Sequence, residues 1–217
     1  MNRPYVTLKL ATSLDGRIAA ASGESRWITG AQSRAEVQLM RAAADAVMIG
    51  AGTARADDPE LLARTEPPAR RQPLRVVLNS RLDLPATGRL FATLDAAPLL
   101  VIGAEGADGA ALETAGAEVA RVKRKGGVVD AAAALALLMQ RGVRRVLTEG
   151  GGQLAASLIA AGLVDRLEWF RAPITLGAEG RPGIGALAIA QLSQAPAWRR
   201  VAVKPLGPDL WESYERA

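Results

Sequence analysis

The chain has 217 residues, 49% hydrophobic and 23% charged, with a formal net charge of +5. That length buries the core of one large domain, and the composition is that of an ordinary globular protein rather than a disordered one, so a single domain over residues 1–217 is expected. Cysteine and histidine are both absent, which excludes disulfides, thiolate nucleophiles, imidazole bases and zinc sites built on either residue; no metal is expected.

The positive balance favours an anionic partner. Aromatic residues make up only 4% and the arginines are dispersed, so a base-stacking surface has little to build on. A small phosphorylated ligand is compatible with the charge, as is a solvated basic surface with no partner; nucleic acid is the remote alternative. Met1–Lys9 lacks the apolar region of a signal peptide, and no window reaches ~18 uninterrupted apolar residues. A cytoplasmic location without membrane association is expected.

In chain order, Tyr5–Ala11 alternates at period two and predicts a first strand, with Tyr5, Thr7, Lys9 and Ala11 on one face and Val6, Leu8 and Leu10 on the other. Lys9 there either snorkels at an edge or points into a site. Asp15-Gly16 marks a turn, Arg17–Ala21 a short run and Ser22–Arg26 a polar loop, at whose far end Trp27 reads as a core or lid residue. Thr29-Gly30-Ala31-Gln32 has capping-box spacing and opens a helix to about Ala44. Val37, Met40, Arg41 and Ala44 share one stripe of it, so Arg41 borders the apolar face. Asp45–Gly50 reads as a buried strand and Gly50–Thr53 as a glycine turn into a short helix. Asp57-Asp58-Pro59 supplies carboxylates that either cap a turn or serve a site. Arg64–Pro73 is a surface loop. Leu74–Asn79, Pro98–Ile102 and Glu118–Val122 predict strands, with a short helix within Gly103–Gly116 and a solvated basic run at Arg121–Lys125. Asp130 starts a helix that runs to Gln140.

The strand at Arg144–Thr148 ends in Glu149, three glycines follow, and Leu154, Leu158 and Ile159 recur at helical spacing before Gly162. Strand, glycine loop and helix in that order let a ligand approach the backbone and aim first-turn N–H groups at one point, which suits a phosphate or pyrophosphate. The pattern also serves a tight connection that binds nothing, and its spacing matches neither a dinucleotide-fold fingerprint nor a nucleotide-triphosphatase loop. Arg166–Ile174 predicts a strand, Thr175–Pro182 a glycine-rich loop, and Arg200–Lys204 with Leu210–Arg216 a closing pair. This alternation argues for a mixed, mostly parallel α/β sheet with antiparallel C-terminal strands. Ligands of such sheets bind at the carboxyl ends of the strands, where Lys9, Ala11, Gly50–Thr53, Asn79-Ser80-Arg81 and Glu149–Gly152 fall.

The segments PYVTLKLATSLDGR at 4–17, SGESRWIT at 22–29, MIGAGTARADDP at 48–59, RVVLNS at 75–80 and LTEGGGQL at 147–154 resemble, in this order, the reductase domain of the bacterial riboflavin-biosynthesis deaminase/reductase. They are also similar to the stand-alone archaeal pyrimidine reductase. The resemblance implies a dihydrofolate-reductase-like three-layer αβα fold, a homodimer, and NADPH as cofactor. It further implies reduction of the ribosylamino group of 5-amino-6-(5-phosphoribosylamino)uracil to ribitylamino; a reductase of the same fold acting on another pterin-like, pyrimidine or aldimine substrate is the alternative.

By the same resemblance, cofactor contacts fall on Ala11, Trp27, Thr53, Asp57, Ser80, Gly150, Gly151, Gly152, Gln153 and Leu154. Substrate contacts fall on Ser25, Arg41, Asp57, Leu61, Arg64 and Glu149. Trp27 thereby moves from core to a wall of the cofactor site. Arg41 and Arg64 suit the substrate phosphate, and Ser80 with Arg81 the 2′-phosphate of NADPH. Lys9 and Glu149 are the candidates for proton transfer, with Asp57 orienting the substrate. The zinc-dependent deaminase half of the bifunctional enzyme needs His and Cys ligands, which this sequence lacks.

Overall fold

The computed structural model describes residues 2–217. In chain order the elements are β1 (Tyr5–Thr12), β2 (Arg17–Ala19), α1 (Ala31–Ala43), β3 (Ala46–Gly50), α2 (Ala51–Asp57), β4 (Leu74–Leu78), α3 (Arg89–Ala92), β5 (Leu99–Ala104), α4 (Ala110–Thr114), β6 (Glu118–Val122), β7 (Arg124–Lys125), β8 (Val128–Val129) and α5 (Ala131–Gln140). They continue with β9 (Arg145–Thr148), α6 (Gly152–Ala160), β10 (Arg166–Arg171), β11 (Arg181–Pro182), β12 (Trp198–Leu206) and β13 (Asp209–Arg216). Contacts divide the chain into two compact units. Among the described residues no helix is long and apolar enough to cross a membrane.

The first unit comprises Gln38–Leu147 with the N-terminal residues through Tyr5. Its strands run in the order β9-β3-β4-β5-β6, with β3, β4, β5 and β6 mutually parallel. Parallel strands are covered on both faces and therefore need continuous apolar runs rather than alternation. Ala46–Ile49 and Leu99–Ala104 meet that need, and every residue of both runs is buried. Ile49, Val77, Val101 and Leu147 join Leu61, Leu82, Leu90 and Leu112 in one cluster, each side chain contributing ~1.5–3 kcal/mol by leaving water.

Asp45 ties together the starts of these strands. Its Oδ2 accepts the amides of Arg144 (2.9 Å) and Arg145 (2.8 Å), and its other oxygen pairs with Arg71. Burial pushes this carboxyl upward, but the two amides and Arg71 outweigh it and hold the group below its ordinary value. Asp130 caps α5 as its sequence position predicts, its side chain accepting from the Ala132 amide at 2.9 Å. The basic run at 121–125 is solvent-exposed at all of its charged positions. It continues into a hairpin of β7 and β8 across Gly126 and Gly127, whose φ values of 59° and 82° fit a turn with two left-handed residues.

The second unit comprises Val6–Val37 and Thr148–Ala217, with strand order β12-β13-β10-β1. Strand β1 pairs in parallel with β10, placing Lys9 opposite Glu168 and Ala11 opposite Phe170. Strands β10, β13 and β12 pair antiparallel, as the closing pair in the sequence predicts. Asp209 opens β13 and also serves the start of α1: its Oδ2 accepts from the Gly30 amide (2.7 Å) and the Ser33 hydroxyl (2.6 Å). A distant carboxylate thus holds the helix end that Thr29 and Gln32 were expected to cap, and Gln32 Oε1 faces Gly207 instead.

Glu168, 4% exposed, accepts from Trp211 Nε1 (2.6 Å) and Ser213 Oγ (2.5 Å) and pairs with Arg166. A carboxylate this deep is tolerated only when its lone pairs are satisfied, as they are here. Asp15, after β1, anchors the loop beyond β10. It accepts from the Ser13 hydroxyl (2.6 Å) and from the amides of Leu176 (3.1 Å) and Gly177 (2.8 Å).

The Ser13 bond first, then the Leu176 amide, bring the Asp15 carboxyl from 3.8 down to about 2 against the opposing effect of burial. A depressed folded value means that the tether contributes fully above the ordinary carboxylate range and is lost as pH falls through about 2. A carboxyl-carbon NMR titration should therefore find the Asp15 midpoint near 2; a midpoint at or above 3.8 would contradict the tether.

Candidate functional site

In the second unit, Lys9 lies on the face of β1 opposite the buried Val6, Leu8 and Leu10. It is half-buried, with Nζ 5.9 Å from the centroid of the Phe170 ring, which stacks on Trp211 at 5.3 Å. An edge lysine would reach for water; this one lies over the Phe170 ring. Ala11 lies one alternation further along the same face and is half-buried. Ser25 is half-buried in the loop before α1. Trp27 is 70% exposed, with the Arg34 guanidinium over its ring at 4.5 Å. A core role for Trp27 is thereby ruled out.

The glycine junction resolves into separate jobs. Glu149 and Gly150 follow β9 without regular structure, and α6 begins at Gly152 with Gly151 as its extended N-cap (φ −66°, ψ 168°). A glycine cap has no side chain, so the first-turn N–H groups receive no side-chain cap and keep their usual capacity for an anion. Gln153 is exposed and Leu154 half-buried in that first turn. A Cβ on Gly150 would press on Leu154, a flexible side chain, whereas one on Gly152 would overlap the Pro182 carbonyl oxygen. Gly152 also accepts from the Gly185 amide at 2.8 Å. Close approach of the 182–185 segment therefore explains Gly152, while Gly151 is the N-cap of the helix.

Just before this junction, Thr148 is fully buried and its hydroxyl has no hydrogen-bond partner. Removing an unsatisfied hydroxyl while keeping shape is neutral or favourable. Thr148→Val is expected to leave the melting temperature unchanged or to raise it. A destabilisation above ~1 kcal/mol would show that the hydroxyl is satisfied after all.

In the first unit, Thr53 sits half-buried in α2, and Asp57 ends that helix exposed. The two adjacent carboxylates separate here. Asp58 is the left-handed C-cap (φ 39°), and its Oδ1 accepts the Arg89 amide at 2.8 Å; it is structural. Leu61 has φ 57° and is only 2% exposed, within the apolar cluster. Its left-handed backbone conformation is costly for a non-glycine residue.

Arg41 is half-buried and donates to the Leu62 carbonyl at 3.1 Å. Arg64 is exposed, pairs with Glu60 at 3.0 Å and anchors its amide on Gln38. Ser80 follows β4, and its hydroxyl oxygen accepts the Val129 amide at 2.9 Å, leaving its proton available for donation. Sequence reading missed Asp83, Asp209 and Glu168, each an isolated acid without motif context, and it treated Arg75 as an ordinary strand residue.

The RibD C-terminal domain family matches residues 4–211. The chain belongs to this family. Across its whole length it is similar to a RibD structure from Acinetobacter baumannii, at 32% identity and a TM-score of 0.85, covering 59% of that protein. It is similar to a diaminohydroxyphosphoribosylaminopyrimidine deaminase/5-amino-6-(5-phosphoribosylamino)uracil reductase from Thermotoga maritima at 27% identity, over 99% of this chain and 57% of that one, with a TM-score of 0.76.

The chain spans somewhat more than half the length of curated bacterial relatives such as those from Bacillus amyloliquefaciens (56%) and Aquifex aeolicus (58%). A dihydrofolate reductase from Enterococcus faecalis complexed with NADP(H) shares 15% identity and a TM-score of 0.53 over 98% of this chain and 96% of that one, a likeness of fold alone. The dihydrofolate-reductase-like α/β class, mostly parallel with antiparallel C-terminal strands, is the one observed for this family member.

Proposed function

We propose that this chain is an NADPH-dependent reductase of riboflavin biosynthesis that converts the ribosylamino group of 5-amino-6-(5-phosphoribosylamino)uracil to ribitylamino. The observation that carries the reading is the family match over residues 4–211, which takes in every residue assigned a role below. Gly151 and the first turn of α6, through Gly152, Gln153 and Leu154, receive the cofactor pyrophosphate; the positive end of a helix dipole behind a glycine N-cap fits an anion there. Ala11, Trp27, Thr53, Asp57 and Ser80 complete the cofactor contacts.

Arg41 and Arg64 hold the substrate phosphate, Leu61 is a further substrate contact, and Ser25 and Asp57 orient the pyrimidine end. Bound NADPH supplies a hydride to C1′ of the ring-opened ribosylamine. Lys9 and Glu149 deliver the proton to the ring oxygen and stabilise the charge of the imine. The whole chain acts as one reductase domain, works as a homodimer in the cytoplasm and needs no metal.

Titration with NADPH should quench tryptophan fluorescence. Salt-sensitive retention of DNA without such quenching would favour the nucleic-acid alternative. Replacing Arg41 or Arg64 by Ala should raise the KM for the phosphorylated pyrimidine about tenfold or more, the loss of a charge-assisted contact worth ~1.5–3 kcal/mol, with little change in kcat. An unchanged KM in both variants would remove their phosphate role. A second substrate within the same fold, another pyrimidine, pterin-like compound or aldimine, would appear as cofactor binding without turnover of the phosphoribosylamino compound.

A further inference from the structure

The loop after β4 carries a charge cluster that no sequence motif announces. Asn79, 3% exposed, closes the strand. With its carboxamide turned to satisfy its neighbours, it donates to Asp83 Oδ1 at 2.9 Å and accepts from the amides of Asp83 (3.1 Å) and Leu84 (2.7 Å). The carboxylate anchored in this way holds two guanidinium groups. Arg81 Nε meets it at 2.7 Å; Arg55 Nη2 meets it at 2.5 Å and also donates to the Asp83 carbonyl at 3.1 Å. Arg81 first, and Arg55 with it, hold the Asp83 carboxyl below its ordinary value.

Exposed ion pairs of this kind add little to stability, and the side chains of Arg55, Arg81 and Asp83 are 38%, 79% and 41% exposed. Their arrangement is more informative than their strength. Two like charges repel, and one carboxylate fixed by a buried amide keeps both forks side by side while leaving the group with a net positive charge. Planar guanidinium forks match phosphate oxygens two at a time. The cluster sits at the carboxyl end of a parallel strand, where such sheets take ligands, and Arg81 directly follows Ser80. Arg55 comes from α2, the helix that also carries Thr53 and Asp57.

We propose that Arg55 and Arg81, held in place by Asp83, select NADPH over NADH by gripping the 2′-phosphate of the cofactor. The inference rests on the cofactor reading above and adds Arg55 as a specificity-determining residue and Asp83 as the residue that positions it. No covalent step is involved. Asp83 presents the two guanidinium groups, and the phosphate takes up the donors that Asp83 does not use.

The test is equilibrium binding of NADPH, NADH and 2′,5′-ADP to the full chain and to Arg55→Ala, Arg81→Ala and Arg55→Lys variants. Arg55→Ala and Arg81→Ala should each weaken NADPH and 2′,5′-ADP about tenfold or more and leave NADH within about twofold, as expected for loss of one charge-assisted phosphate contact. Arg55→Lys, which keeps the charge but not the fork, should fall between. An NADPH-to-NADH preference within about twofold of the unaltered chain in Arg55→Ala would overturn the inference while leaving NADPH as the cofactor. Failure of the unaltered chain to bind either nucleotide would overturn the cofactor reading itself, and this inference with it.

Discussion

Replacing Arg75 by Leu is expected to lower the unfolding free energy by about 3–5 kcal/mol, the net cost of several buried carbonyls that lose their donor at ~1–3 kcal/mol each. Arg75 is completely buried within β4. Its Nη1 donates to the carbonyls of Leu90 (2.9 Å) and Glu60 (3.2 Å) and to the Thr93 hydroxyl (2.7 Å); its Nη2 donates to the Thr93 carbonyl (3.1 Å) and to that of Ala97. One side chain thus satisfies four backbone carbonyls that end a helix and two loops.

The arrangement carries a cost of its own. Burial pushes the guanidinium pKa down, with Asp95 and Glu60 opposing from a distance, and Nε has no partner. Leu at this position removes that cost but strands the carbonyls, each worth ~1–3 kcal/mol when left buried and unpaired. Against a typical total of ~5–15 kcal/mol the loss is severe. Urea denaturation should show a lower midpoint at an unchanged slope. A loss below about 1 kcal/mol would mean that the segments around Glu60 and Thr93 find other donors. Arg75→Lys keeps the charge but one ammonium cannot span these acceptors, and it should fall between the two.

The second large effect is catalytic. Lys9→Met and Glu149→Gln should each lower kcat by about 10²–10⁴, the usual contribution of a placed proton donor, which is ~3–5 kcal/mol of barrier. NADPH affinity should change little, because neither residue is assigned to the cofactor. For Lys9 the expectation rests on its position, half-buried on the open face of β1 above Phe170, in register with the buried Glu168. Single-turnover kinetics separate a chemical defect from a binding defect. A turnover within about twofold of the unaltered chain, only ~0.4 kcal/mol, would withdraw the proton-transfer assignment for that residue.

Much of the fold is legible in the sequence because the physics is local. Alternation in Tyr5–Ala11 separates the buried from the open face of β1, and the unbroken apolar runs at Val47 and Leu99 declare strands covered on both sides. Asp130 caps its helix from the adjacent position. Long-range pairing is the part that stays hidden. Asp209 holds Gly30 and Ser33 across 179 and 176 residues of chain, and no local pattern links them.

Arg75 reads as a polar residue in a strand because its partners lie 15 to 22 residues away, in segments without periodicity. Among candidate site residues, position next to a strand end or a glycine turn was legible, whereas the local surroundings of each were not. Asp57 and Asp58 are neighbours with different surroundings, Gly151 and Gly152 likewise, and Leu61 reveals itself as a core side chain on a left-handed backbone only in three dimensions. Arg55 and Asp83 meet across 28 residues, beyond the reach of any spacing rule.

The most direct test of the account is the oxidation of NADPH by the purified chain in the presence of 5-amino-6-(5-phosphoribosylamino)uracil, with the product identified by mass. Substrate-dependent loss of NADPH absorbance is expected, at a rate lowered about a hundredfold or more by Lys9→Met, with a product two hydrogens heavier than the substrate. NADPH bound, substrate present and no oxidation above the enzyme-free rate would contradict it.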